Sequence, residues 1–349
     1  MGGSPCLGVI IYLSKKIDLA IVGATGAVGE AMIRILEQRE FPVGKIYLLA
    51  SERSAGEVLT FRDQTVRVGR LDEFDFSKVS LSLFSAGGAI SAVHAPRAVE
   101  AGCVVIDNTS HFRTDPDIPL VVPEVNPHAL GSGNGIIANP NCSTIQMVVA
   151  VKPIYDAVGI DRINVATYQA VSGAGKRAIE ELGQQTVQLL NGRSVSCDMM
   201  PKQIAFNVLP EIDTFQDNGY TREEMKMVWE TRKILEDDSI MVNPTCVRVP
   251  VFYGHSEAVH IETRDKITVQ EVRDALQQAP GVTVLDGRES GHWPTPVTEG
   301  ADEDAVFVGR IREDISCERG INLWVVSDNI RKGAALNSIQ IAETLFSTS

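Results

Sequence analysis

Ile17-Asp-Leu-Ala-Ile-Val-Gly-Ala-Thr-Gly-Ala-Val-Gly29 decides the fold of this chain. Its first six residues read as a buried strand and its last seven as a GxxGxxG loop. Helical spacing follows at once, with Val28, Met32, Ile35 and Leu36 on one face. Strand, glycine turn and helix in that order form a dinucleotide-binding fingerprint. The glycines allow a tight turn and close backbone approach, and the helix amino end holds pyrophosphate. Gly23, Thr25, Gly26, Ala27, Val28 and Gly29 are therefore expected cofactor contacts.

A second strand, Lys45–Ala50, ends in Ser51-Glu-Arg-Ser-Ala-Gly56. NAD sites usually place an acidic residue here for the ribose 2′-hydroxyl. Arg53, flanked by Ser51 and Ser54, instead suits a 2′-phosphate through charge-assisted hydrogen bonds. The expected cofactor is NADP(H) rather than NAD, with Glu52 as the competing signal. Leu81–Phe84 then runs into Ser85-Ala-Gly-Gly88, and Cys103–Ile106 into Asp107-Asn-Thr-Ser110. Open parallel sheets bind ligands at such carboxyl ends, which adds Ser85 and Ala86 to the candidates. Arg113 follows the second of these ends. On local grounds a ligand contact and a surface salt bridge fit it equally.

The chain has 349 residues, enough for about two domains. Its net charge of −13 argues against nucleic acid or an anionic membrane as the main partner. An anionic small substrate would need local arginines and lysines to hold it. Six scattered cysteines without a CxxC pair suit a reducing cytoplasm, not a disulfide framework or zinc site. No HExxH or other metal-ligand spacing occurs, so no metal is expected. The short apolar run Leu7–Leu13 is too short to span a bilayer and lacks a cleavage site. Met1-Gly2 fails the myristoylation pattern because position 6 is Cys. Residues 1–16 read as an extension or a mis-set start, mostly without function.

A nucleophile is suggested by Ile136-Ile-Ala-Asn-Pro-Asn-Cys-Ser-Thr-Ile145. A strand-like run stops at Asn139-Pro-Asn141, Cys142 follows, and a helical pattern begins. A thiol in the first turn of a helix faces unpaired N–H groups and the positive dipole end, which favours the thiolate. Burial as a structural thiol is the competing reading.

Beyond Cys142 the pattern changes. Arg162–Tyr168 alternates as a strand, ends at Gln169, and leads through Ser172-Gly-Ala-Gly175 into a helix. Gly175-Lys176 is not a P-loop, because Ala170 and Arg177 break the pattern. In Cys246-Val-Arg-Val-Pro-Val-Phe-Tyr-Gly-His-Ser256, Val247, Val249 and Val251 are expected on one strand face and Arg248 on the other, with a glycine turn presenting His255. His260 reads as a packing residue in the next strand. Glu223 and Lys226 stand at i, i+3 on a helix, and spacing alone makes them an exposed pair. The loop Gly131–Gly135 is the best domain boundary.

These ordered motifs resemble the aspartate-semialdehyde dehydrogenase family from about residue 17 to the end. The match rests on Gly23–Gly29, Ser51–Gly56, Asn139-Pro-Asn-Cys-Ser-Thr144, Gln169 with Ser172–Gly175, Arg248–Ser256, and Asp328-Asn-Ile-Arg-Lys-Gly-Ala-Ala-Leu-Asn337. The resemblance implies an α/β chain: a Rossmann-type dinucleotide-binding domain plus an α+β catalytic and dimerisation domain. The expected division is an extension over 1–16, an NADP-binding domain over 17–135, a catalytic and dimerisation domain over 136–327, and a carboxyl-terminal helix over 328–349 returning to the first domain.

It further implies that Cys142 is the nucleophile, His255 the acid/base, and that Gln169 orients the acyl group. Arg248 and Glu223 would bind the carboxylate and ammonium of an aspartyl group, with Asn141 beside them. Arg113 and Lys226 would bind phosphate. Ser172, Gly173 and Asn337 join the cofactor contacts. The implied reaction is NADPH-dependent reductive dephosphorylation of L-4-aspartyl phosphate to L-aspartate 4-semialdehyde in a homodimer, serving lysine, threonine, methionine, isoleucine and diaminopimelate synthesis. An N-acetyl-glutamyl-phosphate reductase, or a catalytically dead nucleotide-binding paralogue, are the alternatives.

Overall fold

The computed structural model describes residues 16–132 and 135–347. The extension read over residues 1–16 lies outside these except for Lys16, as do residues 133 and 134 of the loop 131–135. The strands in chain order are β1 (Ile17–Val22), β2 (Val43–Ala50), β3 (Val58–Phe61), β4 (Gln64–Arg67), β5 (Gly69–Arg70), β6 (Leu81–Phe84), β7 (Val104–Asp107), β8 (Ile136–Ala138), β9 (Ile160–Gln169), β10 (Met241–Arg248), β11 (His255–Thr263), β12 (Val282–Val284), β13 (Val306–Glu313) and β14 (Gly320–Ser327). The α-helices are α1 (Ala27–Gln38), α2 (Gly88–Glu100), α3 (Cys142–Val158), α4 (Lys176–Leu190), α5 (Arg222–Leu235), α6 (Val269–Gln278) and α7 (Leu336–Ser347).

The first sheet is parallel, in the order β5-β2-β1-β6-β7-β8. Its central strands β1, β6 and β7 are mostly apolar and buried because helices cover both faces. Strand order reverses between β1 and β6. The crevice beyond their carboxyl ends is where such a sheet takes a nucleotide, and Gly23 and Ser85 stand there. The second sheet is mixed, in the order β10-β9-β11-β14-β13-β12. Pro244 is tolerated within β10 because that strand is an edge and need not donate on its free side. No described helix is long and apolar enough to cross a membrane.

α3 joins the two sheets, leading from β8 at the edge of one into β9 of the other. Every residue from Ser143 to Val151 is buried, so this stretch of the helix is core on all sides, while Cys142 before it is only partly buried. α7 folds back to the first sheet, where Leu336, Ile339 and Ala342 share an apolar cluster with Leu19, Ile21 and Met32.

Two local expectations fail. β10 stops at Arg248, so Val249 and Val251 belong to a loop and not to one strand face with Val247. The Val251 carbonyl there accepts from Val171 N–H, which ties the loop to the end of β9. His260 is not apolar packing: its ring nitrogens meet Asp314 and Asn164 on the half-open face of β11.

Candidate active site

The site begins where β8 ends. Asn141 is extended (φ −63°, ψ 143°) and caps α3, its Oδ1 accepting from the N–H groups of Ser143 (3.0 Å) and Thr144 (3.3 Å). This cap fixes Cys142 as the first helical residue. Opposite it, Gly254 turns the chain with φ +86°, where a Cβ would strike the Pro296 carbonyl at 2.7 Å. The turn delivers His255, the first residue of β11, with Nε2 3.3 Å from Cys142 Sγ. The Nδ1 atom of His255 accepts from the Ala170 N–H at 3.0 Å. A ring whose Nδ1 is an acceptor carries its proton on Nε2, facing the sulfur. Burial, reinforced by Arg248, lowers the imidazole to about 3, so the neutral form persists.

Enclosure works against the expected thiolate. Burial pushes the Cys142 thiol up to about 12, and Glu223 adds to this, against the opposing pull of Arg248, Arg113 and the Ser143 N–H. Desolvation outweighs the helix terminus because the sulfur is enclosed between α3, β11 and Gly333.

Gln169 and Arg248 end neighbouring parallel strands and pair directly in register. Gln169 Nε2 donates to Ser143 Oγ (2.8 Å) and Glu223 Oε1 (3.3 Å), and Arg248 donates to the Ala170 carbonyl at 2.9 Å. α5 runs in front of them. Its Glu223 is buried, accepts from Asn141 Nδ2 at 2.9 Å, and pairs with Lys226 at 2.9 Å. Lys226 also meets Asp213 at 2.8 Å. Burial resists the Glu223 charge, but Lys226, Asn141 and Arg248 hold its carboxyl down at about 2. The pair is therefore not the exposed one that spacing indicated.

Arg113 is likewise no surface salt bridge. It is buried, donates to the Asn108 carbonyl at 2.8 Å, and pairs with Glu230 at 3.2 Å. Glu230 also accepts from the Asn141 N–H at 2.6 Å, so one carboxylate holds both Arg113 and the residue before Cys142. Lys233, one turn on, holds the Arg113, Asp115 and Ile118 carbonyls. Neither Glu230 nor Lys233 was among the expected residues. A signal existed: Glu223, Lys226, Glu230 and Lys233 follow 3- and 4-residue spacing and share one face of α5.

One cavity of about 700 Å³ joins this chemistry to the glycine loop. Thr25, Gly26, Ala27, Val28, Arg53 and Ser85 line one end, and Ser172 and Gly173 the middle. Arg113, Asn141, Cys142, Gln169, Glu223, Lys226 and Arg248 line the other end. Gly26 caps α1 without a side-chain hydrogen bond, which leaves that helix start open to the cavity for a pyrophosphate. Gly29 serves packing: a Cβ there would lie 2.2 Å from the Gly23 carbonyl oxygen. Gly23 and Ala86 meet at the backbone between the two strand ends. Lys176 bridges from α4 to the Thr25 carbonyl (2.8 Å) and Glu30 (2.6 Å) at the loop. Glu52 turns to Arg70 at 3.2 Å. Gly23, Gly29, Ser51, Ser54, Ala86, His255 and Asn337 are not on the cavity wall, and His255 is fully buried. The Asn337 amide is buried, donating to Val121 and Asn139 and accepting from Lys332. Among the described residues no three His, Cys, Asp or Glu side chains group to hold a metal.

Known proteins share this architecture. The semialdehyde dehydrogenase NAD-binding domain family matches residues 18–132, and the semialdehyde dehydrogenase dimerisation domain family matches residues 151–332. Aspartate-semialdehyde dehydrogenase of Legionella pneumophila is 64% identical over 335 residues, covering 95% of this chain and 96% of that protein. Aspartate-semialdehyde dehydrogenase 2 of Vibrio cholerae is 62% identical, covering 95% and 98%. The crystal structure of the Vibrio cholerae aspartate semialdehyde dehydrogenase II complexed with ASA superposes with a TM-score of 0.93 at 62% identity, again covering 95% and 98%.

Proposed function

The chain belongs to the aspartate-semialdehyde dehydrogenase family, and from that premise we propose that Cys142 carries the aspartyl group as a thioester between an acyl phosphate and the semialdehyde. The protein is an oxidoreductase of α/β fold with a nicotinamide-binding domain. The observation that carries the proposal is the Cys142–His255 contact at 3.3 Å, with Cys142 on the wall of the cavity that the open α1 start shares.

The roles follow from position. Arg248 takes the substrate α-carboxylate and Glu223 its ammonium. That ammonium neutralises the anion that raises the Cys142 thiol, so substrate binding itself favours the thiolate. The sulfur attacks the acyl carbon, a C–S bond forms, the C–O bond to phosphate breaks, and the thiol proton leaves with the phosphate as hydrogen phosphate, held by Arg113 and Lys226. Gln169 and Asn141 orient the acyl group. The nicotinamide, when bound, supplies the hydride. The C–S bond of the tetrahedral thiohemiacetal then breaks and the sulfur leaves as thiolate, steadied by a hydrogen bond from His255 Nε2–H, which keeps its proton; a solvent proton restores the thiol. Thiolate is both nucleophile and leaving group, so one atom serves both steps.

Arg53 on the cavity wall and the outward turn of Glu52 support NADP(H) as the cofactor, with Ser51 and Ser54 behind Arg53. A homodimer is supported by the dimerisation-domain match, and a reducing cytoplasm by the free state of every described cysteine. The buried Glu223 carboxylate favours a free ammonium over an acetylated amine, and with it the aspartyl substrate. The test is NADP reduction with aspartate semialdehyde and phosphate. Wild type turns over, and Cys142→Ala falls on the order of 10⁴-fold or more while still binding NADP. Undiminished turnover in that variant would refute the thioester.

A further inference from the structure

A second cavity of about 800 Å³ lies at the β12–β13 edge of the second sheet and shares no residue with the Cys142 cavity. It is bounded by the start of α6, the segment 286–293 and β13. Four arginines line it, Arg273, Arg288, Arg310 and Arg312. Arg273 is committed to Asp286 at 2.7 Å, and Arg312 gives one N–H to the Arg310 carbonyl at 2.7 Å. Arg288, Arg310 and Arg312 have no carboxylate partner among the described residues, although Glu313 stands on the same wall.

The chain carries a net charge of −13, so acidic partners were abundant. Four arginines outnumber the Asp286 and Glu313 carboxylates on the same wall, and an excess of like charge attracts an anion. The backbone is bent to build it. The β13–β14 register shifts between Gly309 and Arg312, and Arg310 adopts φ +53°. A bulge with a left-handed long side chain re-aims that side chain, here at the cavity. Trp293, half-buried, adds an aromatic face to the wall. The volume is that of a small-molecule site.

We infer that this cavity binds a small polyanion, a di- or triphosphate group held by Arg288, Arg310 and Arg312, with Trp293 placed to stack on an attached ring. The inference does not depend on the catalytic roles above.

The test is calorimetry and tryptophan fluorescence on the full chain with pyrophosphate, ATP and citrate, in the presence of saturating NADP. Pyrophosphate is expected to bind and to change the fluorescence. The Arg288→Ala/Arg310→Ala variant, its fold checked by circular dichroism, weakens binding about tenfold or more with turnover unchanged. Trp293→Phe removes the fluorescence change and keeps the pyrophosphate heat. ATP binding tighter than pyrophosphate supports the ring contact, and equal affinity supports the phosphate groups alone. Binding abolished by NADP, or unaltered in the double variant, would overturn the site. Citrate binding as tightly as pyrophosphate would overturn its assignment to phosphate.

Discussion

Gly333 lies directly against Cys142: a Cβ on Gly333 would sit 2.8 Å from the Cys142 Cβ. The segment before α7 thus packs against the nucleophile. Gly333→Ala is expected to displace Cys142 from His255. Overpacking of this kind costs about 1–3 kcal/mol of stability, and a displacement near 1 Å costs about 10²-fold in kcat. Kinetics with NADP affinity as control checks this; unchanged kcat would show that the backbone yields freely there.

Glu230 bridges Arg113 and the Asn141 N–H without touching the cavity wall. Glu230→Ala leaves a buried guanidinium unpaired and is expected to destabilise by about 3–5 kcal/mol. Glu230→Gln keeps the shape and costs about 1–3 kcal/mol. Denaturant unfolding measures both. The KM for phosphate should rise in the Gln variant as Arg113 loses its anchor.

The negative charge of Glu223 raises the Cys142 thiol. Glu223→Gln should therefore shift the pH profile of iodoacetamide inactivation to lower pH, while the KM for aspartate semialdehyde rises about tenfold or more. A profile that stays in place would separate the carboxylate from the thiol.

Arg53 stands at the cofactor end of the cavity. Arg53→Ala should raise the KM for NADP about 10- to 100-fold and leave that for NAD unchanged. An unaltered ratio of the two would remove Arg53 from the 2′-phosphate.

Glu257 is fully buried on β11, and neither carboxylate oxygen makes a hydrogen bond of normal geometry, although the Gln146 amide stands near. Burial drives its carboxyl well above the usual range, against the opposing Gln146 amide. A folded value above the unfolded one means full stability below the unfolded value near 4.5, with a loss as pH rises through the folded value. Glu257→Gln cannot titrate. Its melting temperature should exceed that of wild type by a margin that grows from pH 5 to pH 8. A constant margin would contradict a protonated Glu257.

Elements whose chemistry is local are legible in the chain alone. The glycine loop needs only its neighbours to turn, and α3 starts at Cys142 because Asn141 caps it. The order of the motifs was enough to carry the family. The tertiary structure decided protonation and partnership. Cys142 has a helix-start position legible in sequence, but its thiol is raised by enclosure among α3, β11 and Gly333, which lie far apart in the chain. Glu223 and Lys226 spaced as an exposed pair became buried because α5 packs over the ends of β9 and β10. Glu230 and Lys233 share that face, yet nothing local ties them to Arg113 more than a hundred residues earlier. Spacing encodes which residues share a face. Only packing sets what the face meets, and with it the desolvation and the charges that fix each group's state.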